Sequence, residues 1–412
     1  MVQTLYHDAR AIVDRAIEAV LPDEAVRRAL EGRRFPGKVV LVAVGKAAWQ
    51  MAKAASDCLG GRVDRGVVVT KYDHVKGAIE KVTCYEGGHP IPDENSVRGT
   101  QAVLDAVAGL SENDTVLFLL SGGGSALFEK PFIPLDELRD VTDQLLASGA
   151  DITEINTIRK RLSAVKGGRF ARTCAPARVC SIVLSDVLGD PLDMIASGPT
   201  APDRSACGDA QRIAEKYHLR LSDQARSLLR QETPKRLDNA ETVVTGSVRE
   251  LCAAAAAACR ALGYEPLILT DRLCCEAREA GSFLASVALS HANDGKALAF
   301  IAGGETVVHL TGNGKGGRNQ ELALAAAEGI AGLEHVAVFS VGSDGTDGPT
   351  DAAGGYADGQ TAAALSLRGV RIHDALARND AYHALEQVGG LIVTGPTGTN
   401  VNDVSVVLIK KQ

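Results

Sequence analysis

The chain has 412 residues, 45% of them hydrophobic, with 23% charged and a formal net charge of −7, enough apolar material for two cores at roughly 100–200 residues per domain. Lys and Arg are spread without a basic block, which argues against a nucleic-acid surface. No apolar run approaches the ~18 residues of a membrane span, and nine cysteines without CxxC or Cys/His spacing indicate neither a zinc site nor a disulfide framework, so the expected setting is the reducing cytoplasm.

Met1–Val20 places apolar residues at helical spacing among Asp8, Arg10, Asp14, Arg15 and Glu18, an amphipathic globular helix and not a signal peptide. Short β-branched runs then alternate with helical periodicity, the signature of βα units. Strands are predicted at Lys38–Val44, Gly66–Thr70, Thr115–Leu120 and Val179–Leu184, with helices over Ala47–Leu59, Asp93–Ala108 and Glu154–Ala171. A polar stretch, Asp203–Asn239, holds two helices and the break Thr233-Pro234-Lys235, and the domain junction is expected near its end. Strands resume at Thr242–Thr245, Pro266–Thr270, Ala297–Ala302, Val307–Leu310, Val336–Val341, Leu391–Val393 and Val404–Ile409, with helices Gln360–Leu367 and Asp380–Val388. The expectation is an α/β protein of two domains with mostly parallel sheets. Residues 1–238 form a Rossmann-like domain and residues 239–412 a distinct mixed-sheet domain.

Ligands of open α/β sheets bind beyond the carboxyl ends of strands, so loops there carry the candidates. Lys46 ends a strand and opens a helix; a cation beside a positive helix end suits a bound anion such as phosphate, the alternative being a solvated surface lysine. Ser121-Gly122-Gly123-Gly124-Ser125 lets backbone N–H groups converge on an anion, although a tight turn also uses glycine; it is neither a Walker A loop nor a nucleophile elbow. Among the basic residues of Asn156–Arg172, Arg159 and Lys166 are chosen as carboxylate or phosphate ligands, most of the others being a solvated helix face. Asp186 and Asp190 follow a strand and could hold Mg2+ or position a hydroxyl, turn capping being the alternative. The glycine-rich segments carrying Glu305, Arg318, Asn319, Gln320, Asp344 and Asp347 suggest close backbone approach to a ligand, against plain solvated turns. Gly312, Gly314 and Gly317 fit GxGxxG, a weak match to a dinucleotide fingerprint. His89, in a turn before a helix, reads as a packed residue.

The stretches GKAAWQMA, GGHPIPDENS, LLSGGGSAL, EINTIRKRLSAVKGGRFA, VLSDVLGDPLDMIASGPT, GGETVVHLTGNGKGGRNQELAL, SDGTDGPTDAAGG and TGPTGTNVNDV, running from Gly45 to Val404, resemble the class II glycerate 2-kinase family, whose C-terminal half is the MOFRL domain. Ser343 departs from the family pattern, which carries threonine there. The resemblance implies ATP and Mg2+ as cosubstrates, D-glycerate as acceptor, 2-phosphoglycerate as product, and Lys46 and Arg318 as catalytic cations. Ser121–Ser125, Arg159, Lys166, Glu305, Asn319, Gln320, Asp344 and Asp347 are the expected substrate and nucleotide contacts, with Asp186 and Asp190 for the metal. No nucleic-acid or membrane partner is expected, and a homo-oligomer is left open. An NAD(P)H-dependent hydroxypyruvate reductase is the alternative, and a non-catalytic binding protein a third reading.

Overall fold

The computed structural model describes residues 2–411; Met1 and Gln412, the outer limits of the first predicted helix and of the two predicted domains, lie outside the described residues. The chain divides into two compact units. One is Pro22–Thr245, and the other joins the helix Val2–Glu18 to the chain from Gly246 onward.

In the first unit the strands are β1 (Val39–Val44), β2 (Val63–Lys71), β3 (Val82–Gly87), β4 (Thr115–Leu120), β5 (Arg178–Leu184) and β6 (Ala240–Gly246), in the order β3-β2-β1-β4-β5-β6. The pairs from β3 through β5 are parallel. β1 and β4 are buried along their whole length, because alternate residues feed two cores. Val40, Val42, Val44, Phe118 and Leu120 meet Phe128 and Phe170 on one face. Leu41, Ala43, Leu117 and Leu119 meet Met51 and Ala52 on the other. Helices on both faces make a doubly wound sheet whose strand order reverses between β1 and β4, the crevice where such sheets take ligands.

Two expectations change here. β6 completes the first sheet beside β5, so Thr242–Thr245 belongs to the first unit, which ends at Thr245 and not at 238. The polar stretch supplies helices Cys207–Lys216 and Asp223–Leu229, which pack with Leu135–Ala147 and Ile152–Leu162 around Leu138, Leu145, Ile158, Leu162 and Leu229. The predicted helix Glu154–Ala171 is two, Ile152–Leu162 and Arg169–Cys174. They part where Gly167 and Gly168 take φ of 58° and 80°, backbone that a right-handed helix excludes.

The second unit holds β7 (Glu265–Leu273), β8 (Leu298–Gly304), β9 (Val336–Gly342), β10 (Gly354–Asp358), β11 (Leu391–Ile392) and β12 (Asp403–Ile409) in the order β11-β10-β9-β12-β8-β7. Only β7·β8 is parallel; β12 runs antiparallel to both neighbours, giving the expected mixed sheet. Val307–Leu310 is not a strand: Val307 makes one isolated bridge to Glu276 and the chain continues as loop. Among the described residues no helix is long and apolar enough to cross a membrane.

Candidate active site

The loops after β1 and β4 are stitched together at the switch point. Lys46 N donates to Gly122 O at 2.9 Å and Ala47 N to Ser121 Oγ at 3.0 Å. Gly45 (φ 117°) is needed because a Cβ there would enter Ser121. The Lys46 carbonyl accepts from Thr70 Oγ1 at 3.3 Å and lies 2.9 Å from His74 Nδ1, so its backbone is fixed from two sides. Its ammonium has no ion-pair or hydrogen-bond partner among the described residues. Among the described residues no acceptor is seen for the backbone N–H groups of residues 122–125. A lone cation beside several free N–H donors is an anion cradle.

Asp186, after β5, leans on this loop, and a Cβ on Gly122 would overlap its carboxylate. Asp190 sits at φ 51°, with Oδ1 buried and unpartnered, an orphan of the sort a cation satisfies. Among the described residues no cluster of three or more His, Cys, Asp or Glu side chains could hold a metal. A hard ion such as Mg2+ takes ligands from phosphate and water as well as from carboxylates, and the orphaned Asp190 Oδ1 is the observation here that suits one.

Arg159 and Lys166 separate. Lys166 is 0% exposed, donates to the carbonyls of Ser125 and Phe128 at 2.9 and 3.0 Å, and lies 3.4 Å from the buried Glu129 carboxylate. Burial, opposed by Glu129, pulls its pKa down to about 8. With its donors spent on the loop's own backbone it is a strut beneath the cradle, which removes it from the expected ligand contacts. Arg159 has a buried Nε without acceptor; burial lowers its pKa, with Glu129 opposing. It stays available to an anionic ligand. A cavity of about 490 Å3 lined by Arg33, Arg34, Arg178 and Asn239 opens at the amino ends of β4–β6, the opposite end from these loops.

In the second unit Arg318 is clamped by two carboxylates: Nε and Nη2 reach Asp403 at 2.6 and 3.0 Å and Nη1 reaches Glu305 at 2.9 Å. Three of its five donors are engaged and the rest are held in fixed directions. Asn319, Gln320 and Asp347 are 1%, 0% and 2% exposed and serve each other. The Asp347 carboxylate accepts from Asn319 N at 3.1 Å and Gln320 N at 2.8 Å, capping the helix Arg318–Gly329. Burial pushes its pKa up to about 6. Asp344 caps its own turn, accepting from Thr346 N at 3.0 Å. These residues were expected at the nucleotide; the Asp347 carboxylate and the Asn319 amide are spent internally, whereas Gln320 Oε1 is buried without a partner and Asp344 is half-buried. The glycines follow suit: a Cβ at Gly312 or Gly314 would strike Arg378, and one at Gly317 would strike Asp347. They allow chain to meet chain, and the helix end that GxGxxG offers to a pyrophosphate is filled by Asp347.

A family profile described as a domain of unknown function, DUF4147, matches residues 8–230, which take in most of the first unit and part of the N-terminal helix; the MOFRL family profile matches residues 298–403. A D-glycerate 2-kinase of Thermotoga maritima is 53% identical over 97% of this chain and 97% of its own length. The chain belongs to the glycerate 2-kinase family. A crystal structure of glycerate kinase from Thermotoga maritima superposes with a TM-score of 0.96 at 52% identity, covering 99% of this chain and 100% of that one. A relative in Agrobacterium vitis named putative hydroxypyruvate reductase is 40% identical over 97% of this chain and 93% of its own.

In this member of the glycerate 2-kinase family the residue that sequence reasoning passed over is His89. A Cβ on Gly123 would lie 3.0 Å from His89 Cδ2, 3.2 Å from Nε2 and 3.2 Å from Lys46 Cγ, so imidazole and lysine flank one glycine. A single histidine in a Pro-rich turn gives no signal of this. The only available clue was that the turn follows β3, at the same sheet end as the other loops.

Proposed function

We propose that this protein phosphorylates D-glycerate with ATP as donor, forming 2-phosphoglycerate and ADP in the presence of Mg2+. The observation that supports this best is the unpaired Lys46 ammonium beside the free N–H groups of residues 122–125, at the point where a doubly wound sheet takes ligands. Phosphoryl transfer asks mainly for positioning and for positive charge around a loose transition state. Lys46 supplies that charge, and the N–H groups orient phosphate oxygens. Arg159 is the cation left over for the glycerate carboxylate. Arg318, held rigid by Asp403 and Glu305, is the second unit's candidate for phosphate charge. Asp186 and Asp190 are the ligands for Mg2+, which when bound neutralises phosphate charge.

The choice of glycerate and of its 2-hydroxyl follows the names of the relatives. Against hydride transfer stands the Asp347 carboxylate at the one helix end that fits a dinucleotide fingerprint, where it would repel a pyrophosphate. The test is one assay: purified protein with ATP, Mg2+ and D-glycerate, the product resolved as 2- or 3-phosphoglycerate. ATP-dependent 2-phosphoglycerate is expected. NAD(P)H oxidation with hydroxypyruvate and no phosphorylated product would overturn the reading.

A further inference from the structure

We infer that His89 is a catalytic residue of this site, its Nε2 accepting the proton of the glycerate hydroxyl that attacks the transferring phosphoryl group. The inference rests on the phosphoryl-transfer reading above and adds to it a group that carries the proton.

The geometry has three parts. The imidazole and the Lys46 side chain approach Gly123 together, so a phosphoryl group drawn to Lys46 and to the loop's N–H donors lies beside the ring. The ring is half-buried and makes no hydrogen bond among the described residues, so it is not a packed residue satisfied by the fold. Its mount is rigid: Asp93, four residues on, accepts from Ser96 N at 2.8 Å and from Tyr72 OH at 2.6 Å, and Arg139 ties the Pro92 carbonyl at 3.0 and 2.8 Å. An unpartnered side chain on a fixed turn is preorganised for a ligand.

The charges around it set its protonation state. Burial lowers its pKa, and Lys46 on the β1 loop, Lys71 at the end of β2 and His74 just beyond lower it further. Asp186 lies across Gly122 on the β5 loop, and Asp93 in the same turn is engaged by Tyr72 and Ser96. The ring is neutral at physiological pH and accepts a proton. In the transfer the hydroxyl O–H bond breaks and its proton passes to Nε2. The oxygen's electron pair forms the new bond to the γ-phosphorus, and the bond to the bridging oxygen breaks with its pair retained by ADP. The imidazolium then returns the proton to water.

The test uses the full chain. Wild type and His89→Gln are compared for ATP-dependent phosphorylation of D-glycerate from pH 5 to 9, beside thermal melts. The ring signals of His89 in wild type are followed by NMR as D-glycerate is added without nucleotide. His89→Gln should lower kcat by about 10²–10⁴-fold, leave KM for ATP within about twofold of wild type, and abolish the fall in kcat that wild type shows on the acid side as the ring protonates. D-glycerate should shift the His89 signals. A variant with kcat within about threefold of wild type, or with the acid fall intact, overturns the proposal. So do ring signals unmoved by saturating D-glycerate, whether or not the variant folds. A wild type that phosphorylates no glycerate would instead defeat the functional reading itself, which the wild-type arm alone decides.

Discussion

Lys46 and Lys166 are both lysines beside the same glycine loop, and burial gives them opposite jobs. Lys166, fully enclosed, spends its donors on the carbonyls of Ser125 and Phe128 and balances Glu129. Lys46, held by its backbone, keeps its ammonium unengaged. If that ammonium stabilises charge on the phosphoryl group in flight, Lys46→Ala should cut kcat by roughly 10²–10³, as the loss of one preorganised donor does. KM for glycerate should change little. Lys46→Arg should rescue poorly, because a planar fork does not replace a compact charge. The melt should stay within about 0.5 kcal/mol of wild type, since no native partner is lost. Steady-state kinetics beside a thermal melt measures all four, and a folded variant with near wild-type kcat would take Lys46 out of the mechanism. The junction that holds Lys46 was legible, because a strand stops and a helix begins there. The division of labour between Arg159 and Lys166 was not, because both lie in one basic run and only tertiary burial distinguishes them.

At the level of the elements, the helix Arg318–Gly329 shows how an expected ligand site becomes a structural joint. Its N-terminal N–H groups are orphans that an anion should meet. The anion is Asp347, brought in by the loop after β9. The glycines before the helix looked like a ligand cradle, but in sequence a glycine that admits phosphate and one that admits another loop are the same letter. Strand legibility followed burial. β1, β4 and β5 were readable as runs of Val, Ile and Leu, whereas β3 and β10 carry Thr, Cys, Glu, Gly and Asp and take their strand character from the ladders they join. The Asp347 joint has a pH signature. Burial raises its pKa to about 6, above the unfolded value near 3.9. Between those values the folded state binds the extra proton, so its contribution is full at low pH and is lost as pH rises through about 6. The stability of wild type relative to Asp347→Asn should therefore shrink by on the order of 1–3 kcal/mol from pH 4 to pH 7, measured as denaturant midpoints of the two proteins. A gap that widens with rising pH would mean that the helix N–H groups outweigh burial.

On the scale of the whole molecule, the two-sheet plan was readable from the alternation of strands and helices, but the boundaries were not. The sequence suggests a cut after residue 238 because the preceding stretch is polar, yet those polar helices cover Leu138, Leu145 and Ile158 with an apolar face, and β6 is still owed to the first sheet. Nor does local pattern say which core the first helix serves. Leu5, Ala9, Ile12, Val13 and Ala16 are 0–1% exposed, and the helix is tied to its unit by contacts hundreds of residues away: Tyr6 meets Tyr356 edge-on at 5.1 Å, Tyr264 OH donates to Asp8 at 2.6 Å, and Arg10 donates to the Val393 carbonyl at 3.0 Å. Each fully buried Leu, Ile or Val contributes roughly 1.5–3 kcal/mol, so losing this helix removes an amount comparable with the 5–15 kcal/mol margin of a typical domain. Residues 22–245 expressed alone should melt cooperatively with a near-native circular dichroism spectrum. Residues 246–412 alone should not, and should bind a hydrophobic dye over the uncovered face. Adding residues 1–21 back through a flexible linker at either end of the 246–412 fragment should restore a cooperative melt. A 246–412 fragment that melts cooperatively without them would show that the helix decorates a finished core.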